Sequence, residues 1–249
     1  MKIKHLLCFI ALCLFFTPGK AQQLSVMTLR NGATVYIWED KSKPDVFGMI
    51  AFKVGSVDDP EQYTGLAHYL EHVMFKGTQT IDALDWEKEK PIYEKIIAKY
   101  DERAALSDPA AREAIDKEIN DLTREAAQYA AGNEFSLLVD HMGGQGLNAS
   151  TGYDQTEYHN SFPPSQLEKW LEIYSERLIG PVFRGFQTEL EAVYEEYNMY
   201  NDDRGSRMRE FIYEQAFGDH PYARPIIGLP EHLKNPQSVS YTHLRAHET

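Results

Sequence analysis

Past residue 21 this chain of 249 residues has no cysteine, because its only two, Cys8 and Cys13, fall near the start. Residues 22–249 therefore form no disulfide and offer no thiolate, either as nucleophile or as metal ligand. Basic charge is also scarce. The first 21 residues hold three lysines and no acid, which leaves 22 basic against 38 acidic residues in the remainder. Such a balance argues against nucleic acid and anionic membrane as partners. Long apolar runs are missing too. The run from Leu6 to Phe16 is too short to span a bilayer comfortably, so residues 22–249 carry no expected transmembrane segment. There is no low-complexity tract and no internal repeat.

What the first residues do contain is orderly. Lys2 and Lys4 precede the apolar run, and Thr17-Pro18-Gly19-Lys20-Ala21 follows it. A basic start, a short apolar core and small residues at Gly19 and Ala21 describe a secretory signal peptide over residues 1–21, cut after Ala21. The expected route is Sec-type and the expected destination periplasmic or extracellular, a setting that would permit disulfides. Cys13 does not fit a lipoprotein anchor, since Leu12 precedes it where a small residue is needed.

Residues 24–57 read as strands. Leu24, Val26 and Thr28 alternate, Asn31-Gly32 signals a hairpin turn, Thr34 to Trp38 returns, and Val46 to Val54 is a third apolar run. From Gly65 the pattern turns helical, with Leu66, Leu70, Val73 and Met74 on one face. Residues 83–131 read as an antiparallel helical hairpin: Trp86, Tyr93, Ile96, Ile97 and Tyr100 recur at helical spacing, Pro109 suits a first turn, and Ile115, Ile119, Leu122, Ala126 and Tyr129 form a heptad-like seam. Its charged exterior reads as a solvated excursion without chemistry. Beyond Gly132 come a short helix (135–142), strand-like runs at 147–153 and 155–162, an amphipathic helix through Leu167, Trp170, Leu171, Tyr174 and Leu178, and helices at 188–200 and 208–217. Strands and helices without strict alternation imply an α+β fold, a mixed or antiparallel sheet packed with helices.

The chemistry centres on His68-Tyr69-Leu70-Glu71-His72. Two histidines four apart on a helix project from one face and can share one tetrahedral zinc. Glu71 stands next to that face, where a carboxylate can take a proton from water and pass it to a leaving amine. The order is that of the inverted zinc-peptidase motif H-x-x-E-H. A catalytic site needs a third ligand, which in the absence of cysteine is His, Asp or Glu. The helix containing Glu189, Glu191, Glu195 and Glu196 supplies acids, with Glu189 and Glu196 two turns apart on one face. An acidic helix is equally a solvated face.

The stretch Gly65-Leu66-Ala67-His68-Tyr69-Leu70-Glu71-His72-Val73-Met74-Phe75-Lys76-Gly77-Thr78 resembles the active-site helix of the pitrilysin/insulinase family of zinc peptidases. Further stretches fit in family order: Gly143-Gly144 with Leu147-Asn148-Ala149-Ser150-Thr151, the Glu189–Glu196 helix, and His220-Pro221-Tyr222 with Pro225-Ile226-Ile227-Gly228. The resemblance runs from about Leu24 to Lys234 and implies a zinc metalloendopeptidase acting on peptides or small unfolded proteins. It implies His68 and His72 as zinc ligands, Glu71 as catalytic base, Glu196 as third ligand and Glu189 as the acid supporting the site. The seven-residue step from Glu189 selects Glu196 over Glu195. Asn148 and Ala149 match the family's edge strand, on which an extended substrate pairs by its backbone.

Two departures stand out. Between His72 and Glu196 lie 123 residues, more than the family usually has, and an inserted hairpin at 83–131 accounts for the excess. The family also builds a closing chamber from two related halves. Residues 22–237 would be an incomplete N-terminal half, with the second half in the same chain or a partner subunit, and residues 238–249 depart from the pattern as a non-native tail. On that view His243 and His247 are no metal site, and this length by itself is expected to be poorly active. The rival reading is a non-catalytic scaffold or substrate-presenting subunit of the same family. Such subunits commonly lack part of the motif, which is whole here.

Overall fold

The computed structural model describes residues 24–233. The expected signal peptide and the whole of the expected tail at 238–249 lie outside that range. The described residues divide at Pro44 into two compact units.

The first unit is a hairpin. β1 (Leu24–Thr28) and β2 (Thr34–Trp38) pair antiparallel, with Leu24 opposite Trp38 and Thr28 opposite Thr34. Asn31-Gly32 makes the turn as its sequence demands: Gly32 takes a φ of 89°, and the Asn31 side chain accepts from the Ala33 amide.

In the second unit β3 (Val46–Phe52), β4 (Gln145–Thr151) and β5 (Thr156–Phe162) form an antiparallel sheet in the order β3-β5-β4. β5 is central, and its alternation buries Thr156, Tyr158, Asn160 and Phe162 on one face. Against the sheet pack the short helix α1 (Leu66–Val73) and α4 (Glu134–His141). α1 is also in contact with α6 (Phe186–Asp202). The apolar stripe of α1 is buried as its spacing predicts, Leu66, Leu70, Val73 and Met74 all being enclosed.

The hairpin of residues 83–131 consists of α2 (Trp86–Ala105) and α3 (Pro109–Ala126), joined by a short turn that Asp108 caps by accepting from the Ala111 amide. Its inner face is thoroughly buried through Ile92, Ile96, Tyr100, Ile115 and Ile119. The stripe on α5 (Leu167–Ile179) differs from expectation. Trp170, Ile173, Tyr174 and Arg177 face inward, while Leu167 and Leu171 stay exposed, because the sheet covers the side of the helix that carries Trp170 and Tyr174. α7 (Arg204–Phe217) and a short terminal helix α8 (Pro230–Leu233) complete the order. No helix among the described residues is long and apolar enough to cross a membrane.

Candidate metal centre

α1 and α6 bring together side chains more than a hundred residues apart in sequence. Among the described residues, His68, His72 and Glu196 form a group able to hold a metal ion, with one ligand atom from each all lying within 4.8 Å of one another. Nε2 of His68 and Nε2 of His72 stand 3.6 and 3.5 Å from Oε2 of Glu196. A tetrahedral zinc with bonds of about 2.0–2.1 Å would set neighbouring ligand atoms roughly 3.4 Å apart, so the space fits that ion. Two imidazoles and one carboxylate leave a fourth position open, the pattern of catalytic rather than structural zinc. Glu195, the alternative one residue earlier, is exposed, whereas Glu196 is half-buried and faces the histidines.

The two histidines are oriented differently. Nδ1 of His72 donates to Oε1 of Glu189 at 2.9 Å, which fixes the tautomer and turns Nε2 toward Glu196. Glu189 is anchored in turn by an ion pair with Lys76, just past the end of α1. Nδ1 of His68 is buried with no such partner among the described residues, so that ring is held by packing and by the contact of its Nε2 with Glu196. The rings lie 4.8 Å apart, nearly perpendicular.

Electrostatics follow from this arrangement. Burial, helped by the neighbouring His72, lowers the His68 pKa to about 4, leaving a neutral imidazole with a lone pair to donate. Burial also acts against a charge on His72, yet hydrogen bonds to Glu189 and Glu196 outweigh it and hold a proton there up to about 9. Glu196 is kept below the usual carboxylate range by its hydrogen bond with His72. Burial works upward on Glu189, but bonds from His72 and Lys76 bring it below the usual range.

Glu71 is buried on the sheet side of α1. Burial pushes its carboxyl up, against the hydroxyl of Thr151, which donates to Oε2 at 2.6 Å. Thr151 ends β4, which pairs with β5 alone in this sheet and leaves its other edge unoccupied among the described residues. Asn148 and Ala149 lie on this strand, just past an irregularity in register between Gln145 and Asn148, and both line a cavity of about 640 Å³ shared with the metal-ligand side chains. Pro225, Ile226 and Ile227 form part of another wall. The structure thus brings together His68, Glu71, His72, Asn148, Ala149, Glu189 and Glu196. Sequence reasoning gave no role to Lys76 or Thr151. Neither carried a local signal, since Lys76 lies past the end of α1 and meets Glu189 on a helix distant in sequence, and Thr151 meets a residue 80 positions away.

Comparison with known proteins identifies the family and the fold. The family model for insulinase (peptidase family M16) matches residues 34–90 and 121–229, leaving out a stretch inside the α2–α3 hairpin. The zinc protease PqqE of Helicobacter pylori is 25% identical over 213 residues, covering 84% of this chain and 37% of that protein. An uncharacterized zinc protease of Mycobacterium tuberculosis is 28% identical over 179 residues, covering 70% of this chain and 29% of the relative. Among solved structures, a protease from Helicobacter pylori superposes with a TM-score of 0.66 at 21% identity, over 90% of this chain and 43% of that one. Pitrilysin gives 0.61 at 21% identity, over 93% and 20%. The chain spans 29–40% of the length of the first curated relatives it matches. With two matched stretches that take in α1, β4 and α6, the chain belongs to the insulinase family, peptidase family M16.

Proposed function

We propose that this chain is the catalytic part of a zinc metalloendopeptidase that hydrolyses peptides or small unfolded proteins. The observation that carries the reading is the convergence of His68, His72 and Glu196 around a space of zinc's size, with Glu71 alongside and, among the described residues, an unoccupied strand edge leading to it. A zinc ion held there would polarise the scissile carbonyl and lower the pKa of water beside it. The chain's own residues supply the remainder. Thr151 fixes one oxygen of Glu71, leaving Oε1 to accept a proton from the attacking water and to deliver it to the departing amine. The raised pKa of Glu71 favours that uptake near neutral pH. Glu189 and Lys76 hold His72 in its ligating orientation. An extended peptide adds to β4 beside Asn148 and Ala149 through backbone hydrogen bonds, which bind with little regard to sequence.

A second half, in the same chain or a partner subunit, would close over the cavity; the greater length of the relatives supports this. The leader-like residues 1–21 support export to the periplasm or beyond.

Metal analysis and peptide cleavage test the reading together. The chain should bind about one zinc, as a single three-ligand site demands. In the full-length protein, with its second half present, Glu71→Gln should keep that zinc and lose cleavage by roughly 100-fold or more, the usual worth of a general base. Cleavage at the wild-type rate by the Gln variant would sink the mechanism.

A further inference from the structure

The first turn of α1 is capped from outside the helix. A helix start leaves several backbone amides in need of acceptors, commonly met by a Ser, Thr, Asp or Asn side chain at the cap position. Here that position is Gly65, which has no side chain to offer. Asp59 supplies both bonds from six residues upstream: Oδ2 accepts from the Gly65 amide at 2.7 Å, and Oδ1 from the Ala67 amide at 2.8 Å. Asp59 is 5% exposed. Its surroundings are dry enough that burial pushes the carboxyl up to about 7, despite these bonds and the nearby Arg224.

The reason for glycine is the chain segment crossing the helix start. Gly65 has a φ of 83°, and a Cβ there would stand 2.4 Å from the Ile227 carbonyl oxygen. Gly228, at φ 88°, meets it from the other side, since a Cβ there would stand 2.4 Å from the Thr64 carbonyl oxygen. The two glycines let residues 224–233 lie directly against the first turn. Polar bonds fasten the crossing. The Leu229 amide donates to Oγ1 of Thr64 at 3.0 Å, the Thr64 amide and hydroxyl meet Nδ1 of His232 at 3.2 and 2.8 Å, and Arg224 donates to the carbonyls of Asp59 and Val57. The same segment supplies Pro225, Ile226 and Ile227 to the wall of the metal cavity.

His68 is the third residue of α1, so its height and rotation are set by the turn that Asp59 holds. We propose that Asp59 is a positioning residue for the metal centre. From outside the helix it fixes the first turn of α1 so that His68 and His72 meet Glu196, and the crossing of residues 224–233 at Thr64 locks it in place. The inference rests on the metal-centre reading above.

Zinc affinity, measured by chelator competition on the 249-residue chain, tests it. Asp59→Asn replaces one acceptor oxygen by an amide that faces a backbone N–H. It is expected to weaken zinc binding about tenfold or more, on the scale of losing a supporting partner of a metal ligand. Asp59→Glu, which keeps both acceptors, should recover part of the loss. Thr64→Val preserves shape and removes the hydroxyl used by Leu229 and His232, and about a threefold loss is expected from the weaker hold. Ile119→Val, a control in the α2–α3 hairpin that loosens packing far from α1, should lower the melting temperature and leave zinc affinity unchanged. Wild-type affinity in Asp59→Asn overturns the positioning role; should that variant not fold, wild-type affinity in Thr64→Val does so. An equal loss of affinity in Ile119→Val would also overturn it, by reducing the effect to general instability. Failure of the wild-type chain to bind zinc overturns the metal-centre reading and this inference with it.

Discussion

On the outer faces of α2 and α3 charged side chains pair in water: Lys99 with Glu102 and Glu118, Lys117 with Glu113, Arg124 with Asp121. Between α1 and α6 glutamates and histidines are half-enclosed, and the outcome is different. There His68 loses its proton affinity, His72 gains it, and Glu71 moves opposite to Glu189 and Glu196. Both regions are rich in acid. What separates them is the water taken away, because desolvation turns neighbouring charges from a weak, screened influence into one that decides protonation. The contrast explains why composition alone could not tell an acidic helix packed against histidines from a solvated one.

One pair at the base of the hairpin crosses the divide and offers the largest test. Glu89 is 1% exposed and accepts from Nε and Nη2 of Arg184 at 2.6 and 2.8 Å, while Nη1 of Arg184 reaches the carbonyls of Lys76 and Ile81. Removing one partner strands a buried charge, which costs about 3–5 kcal/mol. For a chain of this size Glu89→Ala should lower the melting temperature by roughly 10 °C in calorimetry. Replacing both partners by methionine should recover part of that, since an apolar pair of like volume strands no charge, while the carbonyls of Lys76 and Ile81 still lose their donor. A Glu89→Ala variant that melts like wild type would show that water reaches this pair and that burial does not divide the two regions.

What could be read from the sequence follows the same line. His68, Glu71 and His72 were legible because a helix turns local spacing into geometry, and the seven-residue step placed Glu189 and Glu196 on one face. Arg177 was not. A charged residue in an amphipathic helix reads as surface, yet it is fully buried, its guanidinium 4.0, 4.3 and 4.6 Å from the ring centres of Phe75, Tyr158 and Phe135. Those rings come from three separate stretches of chain, and no local pattern announces their meeting. The same holds for Glu89 with Arg184, Thr151 with Glu71, and Asp59 with α1. On α5 periodicity gave an amphipathic helix, but the stripe it suggested was split, because only the sheet decided which side is covered, leaving Leu171 out and Ile173 in. The α+β arrangement itself was legible, because strand alternation and helical spacing are local.

A pH titration gives a smaller, more specific effect. The His72 pKa of about 9 in the fold stands above its ordinary 6.5, so metal-free protein binds a proton that the unfolded chain releases earlier. The stabilisation is complete below about 6.5 and is lost as pH rises through about 9. Melting temperature of chelator-treated protein should therefore fall between pH 7 and pH 10. With zinc on Nε2 the metal takes the place of the proton that titrates, and the fall should be much reduced. Equal slopes with and without zinc would remove His72 from the metal site.

The smallest effect is expected on the exposed side of the comparison. Lys99 bridges Glu102 on its own helix and Glu118 on the partner helix, at 2.9 and 2.7 Å, an arrangement that looks as purposeful on paper as the one around Glu89. Its carboxylate partners, however, are half exposed. Each charge there keeps much of its hydration, salt screens the attraction, and two long side chains must be ordered to make it. Lys99→Ala should therefore leave the melting temperature at physiological salt without measurable change. Low salt should reveal a slight difference, since screening is then relaxed. A drop approaching that of Glu89→Ala would mean that the outer charges hold the hairpin together. Distance between partners, and not loss of water, would then be the quantity that matters along this chain.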